Sequence, residues 1–132
     1  MINIESNKIQ LNSNINEVFD FLKDLNNHKL LMPSSVSEWW SNFDEAKLKI
    51  QGIGTLHLKK SETKFNSYIK IVPVGKAPVD LFIEWFLAIE NNGCTAKAVI
   101  SADLNIFMKM VAEKPLKNIA DYMAESLKKH FS

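Results

Sequence analysis

The stretch VDLFIEWFLAIE, residues 79 to 90, decides the fold class. Apolar side chains alternate along it with a period of two, which is typical of a β-strand with one buried face. The opposite face is only half polar, because Phe82 and Phe86 share it with acidic residues. Asn91-Asn92-Gly93 follows, and Asn-Gly between alternating runs is a strong hairpin signal. We therefore expect a hairpin of residues 79–90 and 94–104. Its buried face is expected to carry Leu81, Ile83, Trp85, Leu87 and Ile89.

The same period of two continues upstream and indicates a meander. Four earlier runs, VSEWWSNF, AKLKI, TLHLKK and residues 65–72, read as further strands. Residues 2–11 indicate a first strand, and the change of parity between Ile4 and Ile9 predicts a bend in it. Ser13 then predicts the N-cap of a helix, and a short second helix, residues 28–32, stops at Pro33. The stripe of the first helix consists of Ile15, Val18, Phe19, Leu22 and Leu25.

A helical period returns after Leu104 and lasts to the end of the chain. Pro115 is expected to kink this segment or to start its main part. The helix is the one element large enough to cover the sheet, and Ala96, Ala98 and Ala102 would let it come close. The expected architecture is α+β, with a seven-stranded antiparallel sheet and one domain over residues 1–132. The stripe of the long helix consists of Leu116, Ile119, Ala120, Met123, Leu127 and Phe131.

Composition and charge exclude several classes of protein. The chain has 132 residues, 46% of them hydrophobic and 23% charged, with a net charge of +1. All 16 basic residues are lysine, and since arginine is the usual ligand of phosphate and guanine, we expect no nucleic-acid partner. The single cysteine, Cys94, excludes an intrachain disulfide. The start, MINIESNKIQ, is unlike a signal peptide and no apolar run is long enough to span a bilayer, so we expect a cytoplasmic protein without stable membrane insertion.

Four stretches of this sequence carry a resemblance to a known superfamily. They are FDFLKDLNNHKLLMP, GIGTLHLK, GKAPVDL and MKMVAEKPLKNIADYMAESL. Together with the order of elements they resemble the START-like superfamily, which includes polyketide cyclases and lipid-transfer domains, and most of all its small single-domain bacterial members. The resemblance implies a helix-grip fold, in which a curved antiparallel sheet wraps the C-terminal helix around a hydrophobic cavity. It implies no shared catalytic motif.

The resemblance and the strand parity together predict the ligand site. We expect a small hydrophobic molecule, lipid-like or polyketide-like, to lie between the sheet and the C-terminal helix and to enter near residues 25–32. Two alternatives stay open: a cyclase-like or dehydrase-like enzyme that uses the same cavity, and an interaction module with a filled core. The expected lining is Trp39, Leu48, Leu56, Leu58, Ile69, Leu81, Ile83, Trp85, Ile100, Met108, Ile119 and Met123.

Two further expectations concern partners and chemistry. Phe82 and Phe86 should point outward, where they form a homodimer contact or are covered by lysine side chains from neighbouring strands. The three histidines, His28, His57 and His130, lie on different elements without a neighbour at metal-ligand spacing, so we expect no metal site. No residue pattern indicates a catalytic group or a cofactor.

Overall fold

The computed structural model describes residues 1–132 and contains eight strands, two α-helices and one 3-10 helix. The α+β class and the helix-grip arrangement are confirmed, because one open antiparallel sheet faces a long C-terminal helix. The elements in chain order are β1 (Ile2–Glu5), β2 (Ile9–Leu11), α1 (Ile15–Lys23), the 3-10 helix (Leu25–Leu31), β3 (Val36–Ser41), β4 (Glu45–Ile50), β5 (Gly54–Lys64), β6 (Tyr68–Pro73), β7 (Asp80–Glu90), β8 (Gly93–Asp103) and α2 (Ile106–His130).

The sheet has eight strands rather than the expected seven, because residues 2–11 form two short strands instead of one. Its order is β1-β8-β7-β6-β5-β4-β3, and β2 also pairs with β8. The interruption is at Ser6, whose backbone N–H donates to the Ala98 carbonyl at 2.8 Å while its hydroxyl accepts from the Ala98 N–H at 2.9 Å. This side-chain bond replaces one rung of the ladder, and the chain changes parity before β2 begins.

Strands β7 and β8 form the predicted hairpin along its full length. Leu81 pairs with Ala102 and Glu90 with Gly93, so the loop consists of Asn91 and Asn92. One expectation for this hairpin is wrong: Ile89 is 75% exposed. Strand parity determines which face a side chain occupies, but it does not determine how far along the strand that face is covered.

The first helix differs from its prediction at both ends. Asn14, rather than Ser13, is the N-cap, and its side chain accepts from the Asn16 N–H at 2.8 Å. The helix ends at Lys23, and the short helix after it is of the 3-10 type, with Asp24 as its own N-cap. The 3-10 helix begins three residues earlier than expected, so His28 lies inside it.

Helix α2 packs its apolar stripe against the inner face of the sheet. Leu116, Met123 and Leu127 are fully buried, and Pro115 lies within the helix. The helix comes close because both surfaces carry small side chains. The buried alanines at this contact are Ala96, Ala98, Ala102, Ala112, Ala120 and Ala124.

No helix has the length and apolarity that crossing a membrane requires.

Candidate functional site

A small apolar cavity lies beside the 3-10 helix, against the inner face of strands β3 to β7. Its volume, counted as the space open to the centre of a water molecule, is about 10 Å3, enough for about one water. Met32 and Trp39 are its half-buried lining residues and so form its mouth. Eight of the nine lining residues are hydrophobic; the full set is Leu25, His28, Met32, Trp39, Ala46, Leu48, Leu58, Ile71 and Ile83.

A β-bulge in β3 decides which of two adjacent tryptophans faces this cavity. Ser37 pairs with Lys49 and Trp40 with Lys47, so Glu38 and Trp39 together oppose one residue of β4. Glu38 has a φ of 51°, an uncommon value for a residue other than glycine. Without the extra residue, alternation from Val36 would turn Trp40 inward; with it, Trp39 lines the cavity and Trp40 is 50% exposed.

The polar residue of the lining is His28, which is not among the lining residues that the sequence predicts. Its side chain is 2% exposed, and its Nε2 accepts a hydrogen bond from the Trp85 Nε1–H at 3.0 Å. An indole nitrogen only donates, so Nε2 carries no proton and the neutral ring has its proton on Nδ1. The signal for His28 was its position three residues after Leu25 and three before Leu31, on one apolar stripe.

Burial keeps this imidazole neutral. Desolvation lowers the pKa of His28 to about 4, and the Lys60 ammonium also lowers it. The backbone and the carboxylate of Asp24 raise the pKa but do not offset the burial. His28 is therefore a neutral hydrogen-bond donor through Nδ1 at physiological pH.

Two buried ring nitrogens on lining residues, Nδ1 of His28 and Nε1 of Trp39, make no hydrogen bond of ordinary geometry to the protein. The Asp24 backbone nevertheless acts on the His28 ring as an acceptor and raises its pKa. Neither nitrogen contributes to the surface of the cavity, which is entirely apolar. The cavity is therefore a candidate site for an apolar group, with a buried histidine in its wall.

The cavity brings together four of the twelve residues that the sequence predicts as lining. These are Trp39, Leu48, Leu58 and Ile83. Of the other eight, Met108 is half-buried against the core, and seven are core residues that do not line the cavity. Those seven are Leu56, Ile69, Leu81, Trp85, Ile100, Ile119 and Met123.

The predicted interface residues lie on the outer face of the sheet, each beneath a lysine. The Lys70 ammonium is 5.6 Å from the centre of the Phe82 ring, and the Lys97 ammonium is 5.9 Å from that of Phe86. Tyr68 packs beside Phe86 with the ring centres 5.3 Å apart. Phe82 is half-buried in this arrangement, and Phe86 is 41% exposed.

A second apolar surface, which sequence reasoning missed, lies on the first two turns of α2. Four large side chains there are between 52% and 82% exposed: Ile106, Phe107, Met110 and Val111. They share one side of the helix, whereas the buried stripe begins at Ala112. In the sequence, the exposed apolar residues of the first two turns run directly into the buried stripe of the same helix. Apolar periodicity alone therefore does not distinguish the exposed residues from the buried ones.

Comparison with known proteins places the fold among solved structures. No family model matches the chain, and no curated protein matches it. The solution structure of KanY protein aligns with 17% identity over 98% of this chain and 97% of that one, with a TM-score of 0.77. A norcoclaurine synthase mutant from Thalictrum flavum, solved with a transition-state analogue, aligns with 11% identity over 99% and 96%, with a TM-score of 0.67. The Aha1 dimer from Colwellia psychrerythraea aligns with 17% identity over 99% and 96%, with a TM-score of 0.63. At these identities the likeness establishes the helix-grip fold.

Proposed function

We propose that residues 1–132 form a single START-like domain that binds a small, mainly apolar molecule in the cavity beside the 3-10 helix. The observation that carries the proposal is a lining of eight hydrophobic residues around one histidine, with a mouth at Met32 and Trp39. Concave, mostly apolar sites with a few placed polar groups are the usual form of small-molecule sites. The fold supports the proposal, since a norcoclaurine synthase of the same fold was solved with a small molecule.

Binding requires the cavity to widen, and the residues at its mouth are suited to this movement. Met32 is flexible and follows a short 3-10 helix rather than a long α-helix. Two hydrogen bonds tie that helix to the sheet: the Ser41 hydroxyl donates to the Asn26 side chain at 2.8 Å, and the Trp85 Nε1–H donates to His28 at 3.0 Å. A third bond, from the Leu25 N–H to the Phe43 carbonyl at 3.1 Å, ties it to the loop between β3 and β4. Each Å2 of apolar surface that the ligand and the walls bury contributes roughly 25 cal/mol.

Occupancy of the cavity is tested by native mass spectrometry of the protein purified from cells, followed by organic extraction. We expect a co-purified apolar molecule in the wild type. Ala46→Val narrows the cavity and is expected to lower the occupancy at least tenfold, whereas Ala88→Val, on the exposed side of β7, leaves it unchanged. A wild-type protein that is free of ligand and yields no apolar extract contradicts the proposal, as does equal occupancy in the two variants.

Catalysis in the same cavity is the weaker alternative. His28 is the inward titratable group that an enzyme would need, but its Nε2 is occupied by Trp85 and its Nδ1 holds a proton. With a pKa of about 4 it is a poor base near neutral pH. The geometry therefore supports burial of an apolar molecule better than removal of a proton by His28.

Self-association is the second candidate function, and the exposed side of α2 favours it. Ile106, Phe107, Met110 and Val111 have no cover, whereas lysines lie over the predicted interface at Phe82 and Phe86. Contiguous exposed apolar side chains usually mark an interaction surface. The dimeric Aha1 of the same fold supports a pairing of two copies.

Sedimentation velocity at tens of micromolar tests this self-association. We expect a dimer for the wild type and a monomer for Met110→Glu, because a buried carboxylate without a partner opposes the contact. Phe86→Glu serves as the matched control on the outer face of the sheet and is expected to remain dimeric. The reverse result assigns the contact to Phe82 and Phe86, and a monomeric wild type contradicts self-association altogether.

A further inference from the structure

We infer that two copies of this chain associate through an antiparallel pairing of their α2 helices, in which Lys109 of each copy binds Glu113 of the other. This inference rests on the second candidate function, self-association, and specifies how the second copy docks. The observations behind it are the exposed apolar side of α2 and two charges of opposite sign at its border.

The apolar part of the contact is the side of α2 that faces away from the sheet. The four large apolar side chains of its first two turns are 52% to 82% exposed, whereas the buried stripe begins at Ala112. Contiguous apolar side chains with this exposure mark an interaction surface. A patch of four residues is smaller than the roughly 800 Å2 per partner of a standard interface, so we expect a dimer with a dissociation constant in the micromolar range.

The charged part of the contact is a lysine and a glutamate at one border of this patch. Lys109 follows Ile106 by three residues, and Glu113 follows Met110 by three. Residues three apart are neighbours on the surface of a helix, so each charge lies beside one apolar side chain of the patch. Both charged residues are exposed and therefore accessible to a second molecule.

Neither of these charges is satisfied within the chain. No ion pair of the structure includes Lys109 or Glu113. Lys117, one turn after Glu113, is suitably spaced to bind that carboxylate. Its ammonium instead donates to the Glu5 carbonyl at 2.6 Å and to the Asp121 carboxylate at 3.2 Å. Glu113 is thus available to a lysine of another molecule.

The position of the two charges selects the antiparallel orientation. When two helices pack antiparallel about a two-fold axis, each border meets the same border of the other copy, so Lys109 faces Glu113 on both sides of the axis. In a parallel pair each border meets the opposite one, where Met108 and Pro115 carry no charge. Exposed ion pairs add little affinity, but they determine orientation because the alternative leaves the charges unpaired.

Pulsed electron paramagnetic resonance between nitroxide labels on Lys129→Cys tests the orientation. Residue 129 is exposed near the far end of α2, about 29 Å from Met110 along the helix axis. The native thiol, Cys94, is buried and therefore protected from the label. We expect about 55 Å between the two labels of an antiparallel dimer, whereas a parallel pair gives less than about 30 Å. A short distance overturns this inference and leaves self-association intact.

Charge reversal, read by sedimentation velocity, tests the ion pairs. Lys109→Glu and Glu113→Lys each bring like charges together on both sides of the axis and are expected to weaken the dimer roughly tenfold. The double variant Lys109→Glu/Glu113→Lys restores opposite charges and is expected to return the dissociation constant to within about threefold of the wild-type value. Lys129→Glu makes the same change of net charge away from the contact and is expected to leave the dimer unchanged.

The outcomes separate the pairing from self-association itself. A double variant as weak as the single ones, or a dimer that neither single reversal weakens, overturns the pairing of Lys109 with Glu113. A monomeric wild type overturns self-association and this inference together.

Discussion

Acidification from pH 7 to pH 4 is expected to lower the free energy of unfolding by about 3 kcal/mol through His28 alone, because burial lowers the pKa of His28 from 6.5 to about 4. The unfolded chain takes up a proton on this ring near pH 6.5, but the folded protein does so only near pH 4. The stabilisation is complete above pH 6.5 and is lost as the pH falls towards 4.

The structure explains why the folded state resists this proton. Protonation would place a proton on Nε2, which faces the Trp85 N–H at 3.0 Å, so two donors would meet. The charged groups that act on the ring are Asp24, which favours the cation, and Lys60, which opposes it. Both side chains of the pair are almost fully buried, so solvent does not screen the new charge.

Urea unfolding at a series of pH values measures this effect, with His28→Gln as the informative variant. A glutamine side-chain oxygen is able to accept from Trp85 and does not titrate. The difference in stability between the wild type and His28→Gln is therefore expected to change by about 3 kcal/mol between pH 7 and pH 4. If His28→Gln retains the pH dependence of the wild type, the inference of a neutral buried histidine is wrong.

The fold was predictable because its elements are long and periodic. Strand β7 buries Leu81, Ile83 and Trp85 on one face as the alternation predicts. Helix α2 buries its stripe from Leu116 to Leu127 in the same way. A period of two or of 3.6 is a local property of the chain, so it is readable without knowledge of the tertiary contacts.

The candidate site was less predictable, because it depends on departures from these periods. One extra residue at Glu38 reverses the parity of β3, and its positive φ leaves no unambiguous mark in the sequence. The small residues on β8 correctly predicted a close helix, but a close helix also fills the space where the cavity was expected. The remaining cavity lies at the 3-10 helix, where His28 and Trp39 are brought together only by tertiary structure.

Gly93→Ala is expected to lower the free energy of unfolding by about 3 kcal/mol through a clash of backbone atoms. A Cβ at this position would lie 2.0 Å from the Leu11 carbonyl oxygen and 3.0 Å from its carbon. Neither atom belongs to a flexible side chain, so strand β2 would have to move away from β8. The pairing of Leu11 with Cys94 would be the first to weaken.

The reason for this glycine differs from the one that the sequence indicates. Asn-Gly predicts a turn in which glycine adopts a positive φ. In the structure Gly93 is the first residue of β8, and the positive φ of the loop, 54°, belongs to Asn91. Close approach of the Leu11 backbone, rather than turn geometry, therefore requires the absence of a side chain at residue 93.

Gly75→Ala is the matched control that separates these two reasons. Gly75 has a φ of 66° and no atom within 4 Å of a Cβ, so alanine there meets conformational strain of about 1 kcal/mol without a clash. Thermal and urea unfolding are expected to rank Gly93→Ala well below Gly75→Ala in stability. Amide exchange in Ile9–Leu11 should accelerate only in Gly93→Ala, because only that variant displaces β2. A Gly93→Ala protein as stable as the wild type would show that β2 does not hold this position against β8.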